Sequence, residues 1–410
     1  MTRLHLFEAF GIELEYMLVD AETLAVKPEA DEVLRAAAGS YESEIERGRI
    51  RWSNELVLHV IELKTNGPAA RLEALPAAFQ EQVREIEAIL AGRGGRLMPT
   101  AMHPWMDPAT ETRLWPHEYS PVYQAFDRIF GCSGHGWSNL QSLHLNLPFA
   151  DDQEFGRLHA AIRLLLPLLP ALAASSPVVE GRLPGSLDCR LEAYRGNAAA
   201  LPSVGGEVIP ERVFTEEDYR RRIFEPMMRE IAPQDPEGVL EEEFLNSRGA
   251  IARFGRGSIE IRLIDAQECP LADLAVAALT IAVLRLLTEE HWSGQRAQRA
   301  LEVAPLARVL RRSIARGERA RVDDAAYLAA LGLPATPLSA GRIWRHLAAA
   351  VRAAGAIDDG TFGAAVDTLL ERGPLARRIL RRLGPDPDRA RLERVYRRLC
   401  DCLRAGEMLP

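Results

Sequence analysis

The sequence predicts an α+β protein, and three features predict it. Short runs in which apolar and polar residues alternate recur at 10–19, 50–65, 139–149 and 258–265, the two-residue period of half-buried strands. Runs with helical spacing separate them, at 69–91, 152–174 and 219–231. Beyond Pro270 the pattern is almost wholly helical, biased toward Ala, Leu and Arg to the end.

Composition narrows the function classes. The chain has 410 residues, 47% hydrophobic and 26% charged, the make-up of an ordinary soluble protein able to bury a large core. A net charge of −8 argues against a nucleic-acid partner. Only Lys27 and Lys64 are lysines, so a phosphate site here leans on arginine forks and metal ions rather than a P-loop lysine. Five scattered cysteines without a Cys-x-x-Cys pair indicate neither a zinc ribbon nor a disulfide framework. The first residues lead into a strand pattern without an apolar signal segment, and the apolar run 271–288 carries Asp273 and Arg285. That run reads as a core helix rather than a membrane span. The expectation is a cytoplasmic, reducing location with no membrane and no nucleic-acid partner.

In the first strand, Ile12, Leu14, Tyr16 and Leu18 alternate with Glu13, Glu15 and Met17. Both glutamates then lie on one face, about 7 Å apart. Two carboxylates aimed at one spot repel, and a divalent cation with oxygen ligands is the usual remedy. A lone Glu-x-Glu strand is more often a solvated face. The region 50–65 supplies Glu55 and Glu62. Their spacing of seven sends them to opposite faces of one flat strand, so a bulge or bend near Leu58 to Val60 is needed to bring both inward.

Asn66-Gly67-Pro68 is a turn signal, and the helix over 69–91 stops at Gly92, Gly94 and Gly95. The aperiodic, Pro-, His- and Trp-rich stretch 99–123 reads as a loop over a site, in which His103 and His117 are either substrate contacts or satisfied loop histidines. Next, Leu143, Leu145 and Leu147 alternate with Ser142, His144 and Asn146, giving a third strand with a polar face. Alone, His144 is a hydrogen-bonded strand histidine; beside several glutamates it becomes a metal ligand or phosphate contact.

Asp151 or Asp152 caps the helix over 152–174, which Pro167 and Pro170 should kink. The loop after Ala174-Ser-Ser-Pro177 carries Arg182, Arg190 and Arg195, a set suited to carboxylate or phosphate recognition or simply a solvated basic loop. Residues 244–254 and 258–265 flank a turn at Gly255 to Gly257 and read as a hairpin that brings Arg248 and Arg253 near Glu260 and Arg262. On the last strand Ile259, Ile261 and Leu263 alternate with Glu260 and Arg262. The polar pair is an ordinary ion pair or, among further carboxylates, the edge of a metal–nucleotide site.

These stretches together resemble the glutamate–cysteine ligase type 2 family, the carboxylate–amine ligases related in fold to glutamine synthetase. The resemblance rests on Gly11-Ile-Glu-Leu-Glu15, on Glu55 followed by Val60-Ile-Glu-Leu63, on Ser142-Leu-His144, on Ala174-Ser-Ser-Pro177 with the Gly and Arg residues after it, and on Ile259-Glu-Ile-Arg262 with Asp265. It spans residues 8 to about 290; the later helices match only in general character.

The resemblance implies an antiparallel sheet folded as a funnel and flanked by helices. Residues 1–290 form the catalytic core and 291–410 a helical subdomain packed on it, as support or as the face of a homodimer. It implies Glu13, Glu15, Glu55, Glu62, His144 and Glu260 as ligands of Mg2+ or Mn2+, and Arg262 meeting the transferring phosphate with Glu260 beside it. Arg190, Arg253, Arg248 and Asn146 would hold ATP or the acid. The implied activity joins a carboxylate, such as the γ-carboxylate of glutamate, to an amine through an acyl phosphate made from ATP. The segments 132–149 and 267–270 depart from the better-known members where substrates bind. A strict glutamate–cysteine ligase, a guanidino-type phosphotransferase of related fold and a non-catalytic nucleotide-binding protein are the other readings.

Overall fold

We describe the protein from a computed structural model covering residues 3–410. Eight strands form one sheet: β1 (Gly11–Asp20), β2 (Glu44–Arg47), β3 (Ile50–Asn54), β4 (Val60–Thr65), β5 (Gly95–Met98), β6 (Ser142–Pro148), β7 (Ala250–Arg253) and β8 (Ser258–Asp265). The order is β2-β3-β4-β1-β6-β8-β7, with β5 also on β1, and every pairing is antiparallel. β1 is the spine of this sheet. Its Glu13 to Met17 pair with β4 on one edge; on the other edge Gly11 to Leu14 pair with β6 and Met17 to Asp20 with β5.

The apolar positions of β1 are fully buried, and they face the helices Leu75–Ala91, Asp152–Leu165 and Pro270–Thr288 through one continuous core. Within that core the Tyr16 hydroxyl donates to Asp273 Oδ2 at 3.1 Å. Burial without a cation holds the Asp273 carboxyl up at about 8. The segments Asp152–Ala173 and Pro270–Thr288 are long and apolar enough to cross a membrane, but 94% and 89% of their most apolar windows are buried, so they serve as core helices.

Local chemistry sets the boundaries. Asp151 caps the helix from Asp152 by accepting from the Glu154 N–H. Pro167 and Pro170 fall where the α-helix gives way to a 3₁₀ turn at Leu166–Leu168 and resumes at Leu169–Ala173. Gly257 closes the turn between β7 and β8 with φ +64°, a value that suits glycine. Gly11 lies so close to β6 that a Cβ there would come within 2.9 Å of Asn146 Cβ.

The bulge or bend expected near Leu58 to Val60 takes the form of a full reversal between two strands. β3 ends at Asn54, the chain turns through 55–59, and β4 returns antiparallel with Ser53 opposite Glu62. Glu55 therefore sits on the turn, not on a strand. Strands β2 and β5, four residues each, carry no alternation long enough to announce them. The arm before the 255–257 turn is strand only over β7.

After Pro270 the chain is helical apart from a short strand pair, Arg321–Val322 with Leu338–Ser339. The last helix, Arg389–Ala405, is tied to the sheet end: Arg397 donates to the carbonyls of Ala21 and Glu22, and Arg96 pairs with Asp401 at 2.8 Å. Glu268, fully buried, pairs with Arg378 and accepts from the Leu409 N–H at 3.1 Å.

Candidate functional site

The register of the central strands builds one polar face. Glu13 lies opposite His144, Glu15 opposite Glu62, and Asn146 opposite Glu260. Because side chains alternate along each strand, these residues share the face that the core helices do not cover.

His144 is the junction. Its Nδ1 is 2.9 Å from Glu13 Oε2 and 3.9 Å from Glu260 Oε1, and its Nε2 is 3.6 Å from Glu15 Oε1. Ser142 lies between, its Oγ 2.9 Å from His144 Nε2 while its N–H donates to Glu15 Oε2 at 2.7 Å. Asn146 donates to Glu13 Oε1 at 3.0 Å, so this amide orients a carboxylate. Ser53 donates to Glu62 Oε2 at 2.5 Å, and Lys64 pairs with Glu62 at 3.2 Å. At the other end Arg253 Nε donates to Glu260 Oε2 at 2.5 Å. Arg262 Nε stands 3.1 Å from Glu260 Oε1 without hydrogen-bond alignment, leaving both atoms buried and unsatisfied.

The electrostatics divide the site into two poles. Burial would raise Glu13, but its bond to His144 and the charges of Arg253 and Lys64 win and hold it at about 2. Burial lowers His144 less than Glu13 and Glu15 raise it, so the imidazole is biased toward its cation. Glu260 is likewise pulled down, against its burial, by Arg253 and Arg262. At the opposite pole Glu62 is lifted to about 7, by burial and then by the charge of Glu13. Glu55 is lifted well above the carboxylate range, by burial and then by Glu15 and Glu62.

Two sets of ligand atoms fit a cation: Glu13, His144 and Glu260, and Glu15, Glu62 and His144, each within 4.8 Å of one another. A crowded Glu62 with a raised pKa, an unsatisfied Glu260 oxygen and an oxygen-rich donor set suit hard divalent ions such as Mg2+ or Mn2+. Glu55 belongs to neither set. It lies at the edge, within electrostatic reach of Glu15 and Glu62.

Two expected contacts lie elsewhere. The Arg190 guanidinium, 2% exposed, donates from Nε to Asp265 Oδ1 at 2.6 Å and reaches the Arg262 carbonyl at 3.4 Å. Asp265 also accepts from the Ser175 N–H at 2.8 Å and Ser176 Oγ at 3.0 Å. Arg190 thus braces the end of β8 instead of presenting a free fork. Arg248 forms a two-point pair with Glu211, at 2.6 and 2.7 Å, and donates to the Ser203 carbonyl. It precedes β7 and does not join Arg253 at Glu260.

His103 is fully buried with Nε2 2.8 Å from the Leu24 carbonyl, and burial holds its pKa at about 3, so it is a structural histidine. His117 pairs with Asp31 at 3.0 Å. Ser53 and Lys64 were not anticipated as site residues. Lys64 sits two positions after Glu62, a legible signal; Ser53 needed the strand register.

Residues 9–398 match the family described as glutamate–cysteine ligase family 2, a match that extends through the C-terminal helices. An uncharacterised protein of Archaeoglobus fulgidus is 38% identical over 283 residues, 68% of this chain and 75% of that one. A Rubrobacter xylanophilus protein with the provisional name glutamate–cysteine ligase 2-3 is 30% identical over 301 residues, 70% of this chain and 74% of its own. A bifunctional glutathione synthetase from Pasteurella multocida has a similar fold, with a TM-score of 0.59 at 16% identity over 98% of this chain; the chain spans 52% of that protein's length.

Proposed function

The chain belongs to glutamate–cysteine ligase family 2, a family of carboxylate–amine ligases, and from that premise we propose an ATP- and Mg2+-dependent enzyme that joins a carboxylate, the γ-carboxylate of glutamate or a related amino acid, to an amine. The observation that carries this reading is the single polar face in which two carboxylate sets meet at His144 and end at a Glu260 flanked by Arg253 and Arg262.

A carboxylate is a poor acyl donor until its oxygen takes the γ-phosphoryl group of ATP, after which the amine attacks the carbonyl and phosphate leaves. Both partners in the first step are anions, so the site must screen charge. Bound divalent ions, held by Glu13, Glu15, Glu62, His144 and Glu260 with Glu55 at the edge, would supply that screening and a Lewis acid. Arg262 and Arg253, fixed by Glu260, offer guanidinium forks to the transferring group. Lys64 opposes, without cancelling, the burial and crowding that lift Glu62. Asn146 and Ser142 orient Glu13 and Glu15. The reaction needs no nucleophile from the protein, in keeping with a site of carboxylates and arginines in a chain whose five cysteines are all buried.

In this reading residues 1–290 are the catalytic core, 291–410 support it, and the enzyme works in the cytoplasm. A screen of amino acid pairs with ATP and Mg2+, read by mass, tests it: a condensation product with ADP supports it, and ATP-dependent formation of a stable phosphorylated product without an amide contradicts it. Cysteine belongs in that screen because the Rubrobacter relative carries the glutamate–cysteine ligase name.

A further inference from the structure

The helices Leu375–Leu383 and Arg389–Ala405 bury Ile379, Leu383, Leu392, Tyr396 and Leu399 in a shared apolar cluster and expose Arg381, Arg382, Arg391, Arg394 and Arg398, while Arg378 turns inward to Glu268. Between the outer faces lies a cavity of about 490 Å³ lined by Arg381, Arg382, Arg391, Arg394, Val395 and Arg398. No carboxylate lines it. The chain holds 58 acidic residues against 50 basic ones, so acidic partners are in ample supply. Yet among the described residues only Arg398 has an acidic side chain within ion-pairing distance, Glu407 at 3.9 Å. Arg381 donates to the Arg372 carbonyl at 2.7 Å and Arg391 Nε to the Arg382 carbonyl at 3.0 Å, while Arg382 donates to a main-chain carboxylate oxygen of the last residue, Pro410, at 3.0 Å. The bonds to peptide carbonyls aim Arg381 and Arg391 without neutralising them, and Arg382 alone meets a terminal carboxylate.

Five like charges around one concavity repel, and a multivalent anion at the centre turns that repulsion into attraction. Guanidinium forks match phosphate oxygens two at a time. The volume falls within the range of about 300–1,000 Å³ that holds small ligands. We propose that this cavity is a binding site for a compact multivalent phosphate anion, separate from the carboxylate face of the sheet. The site is independent of the ligase reading, since it uses none of the same residues.

The test is calorimetric titration of the full chain with inorganic tripolyphosphate, without divalent cation. The expected result is saturable one-to-one binding that weakens as salt rises. Arg394→Glu and Arg398→Glu, both exposed substitutions, should each lower the affinity at least tenfold while the melting temperature holds. Glu260→Gln should bind as wild type does. The proposal is overturned by the absence of saturable binding, by binding that persists in both arginine variants, by binding lost in Glu260→Gln, or by a single-stranded oligonucleotide saturating the site where tripolyphosphate does not.

Discussion

His144 Nδ1 stands 2.9 Å from Glu13 Oε2 across the β1–β6 ladder, while His144 Nε2 faces Glu15 Oε1 at 3.6 Å. One imidazole therefore touches both carboxylate sets. It bridges an end where cations hold Glu13 ionised to an end where burial and crowding lift Glu62 toward neutrality.

Glu260 closes the first set and fixes two arginines, so Glu260→Gln should lower amide formation by roughly 10²–10³-fold. The glutamine is isosteric and the strand stays paired, so the melting temperature should change little. Initial rates and thermal melts on the same preparation check this; turnover near that of wild type would remove Glu260 from the chemistry.

Arg262 should not tolerate lysine. A point charge cannot reproduce a planar fork beside Glu260, and Arg262→Lys is expected to cost about 10²-fold in kcat/KM. An unchanged rate would assign Arg262 to structure.

Glu62 makes the metal-free protein sensitive to pH. Its carboxyl titrates near 7 in the fold against an ordinary value of 4.5. Between those values the folded state binds a proton that the unfolded chain has released, so stability falls as pH rises from about 4.5 to 7. Glu62→Gln, which carries no such proton, should be more stable than wild type at pH 8 by on the order of 2–3 kcal/mol and show no gain at pH 4. Denaturant titrations with chelator present measure the difference; equal stability at pH 8 would show that Glu62 is not crowded. Added Mg2+ should reverse the order.

Arg190 should behave as a brace. Arg190→Met leaves Asp265 charged and buried without its cation, a loss of about 3–5 kcal/mol. Arg190→Met with Asp265→Asn should recover part of it. Stability of the single and double variants decides: an undisturbed Arg190→Met with a raised KM for the carboxylate would make the side chain a substrate ligand after all.

The α+β class and the identity of the polar face were legible because strand alternation puts Glu13 and Glu15, Ser142, His144 and Asn146, and Glu260 and Arg262 on one side whatever the tertiary context. The parts that were not legible depend on partners distant in sequence. Glu55 could be placed only once the chain was seen to reverse between β3 and β4. Arg190 and Arg248 looked like free forks because their carboxylates, Asp265 and Glu211, are 75 and 37 residues away along the chain. Four-residue strands such as β2 and β5 are held by pairing with β3 and β1 rather than by a pattern of their own.

The claim that a carboxylate is activated by phosphoryl transfer on this face is tested most directly by oxygen tracing. The amino acid pair found by the mass screen is used with both carboxylate oxygens of the donor labelled as ¹⁸O, and the released phosphate is weighed. An acyl-phosphate route predicts one labelled oxygen per phosphate, in step with amide and ADP, and loss of all three in Glu260→Gln. Amide formed with no label in the phosphate would contradict it.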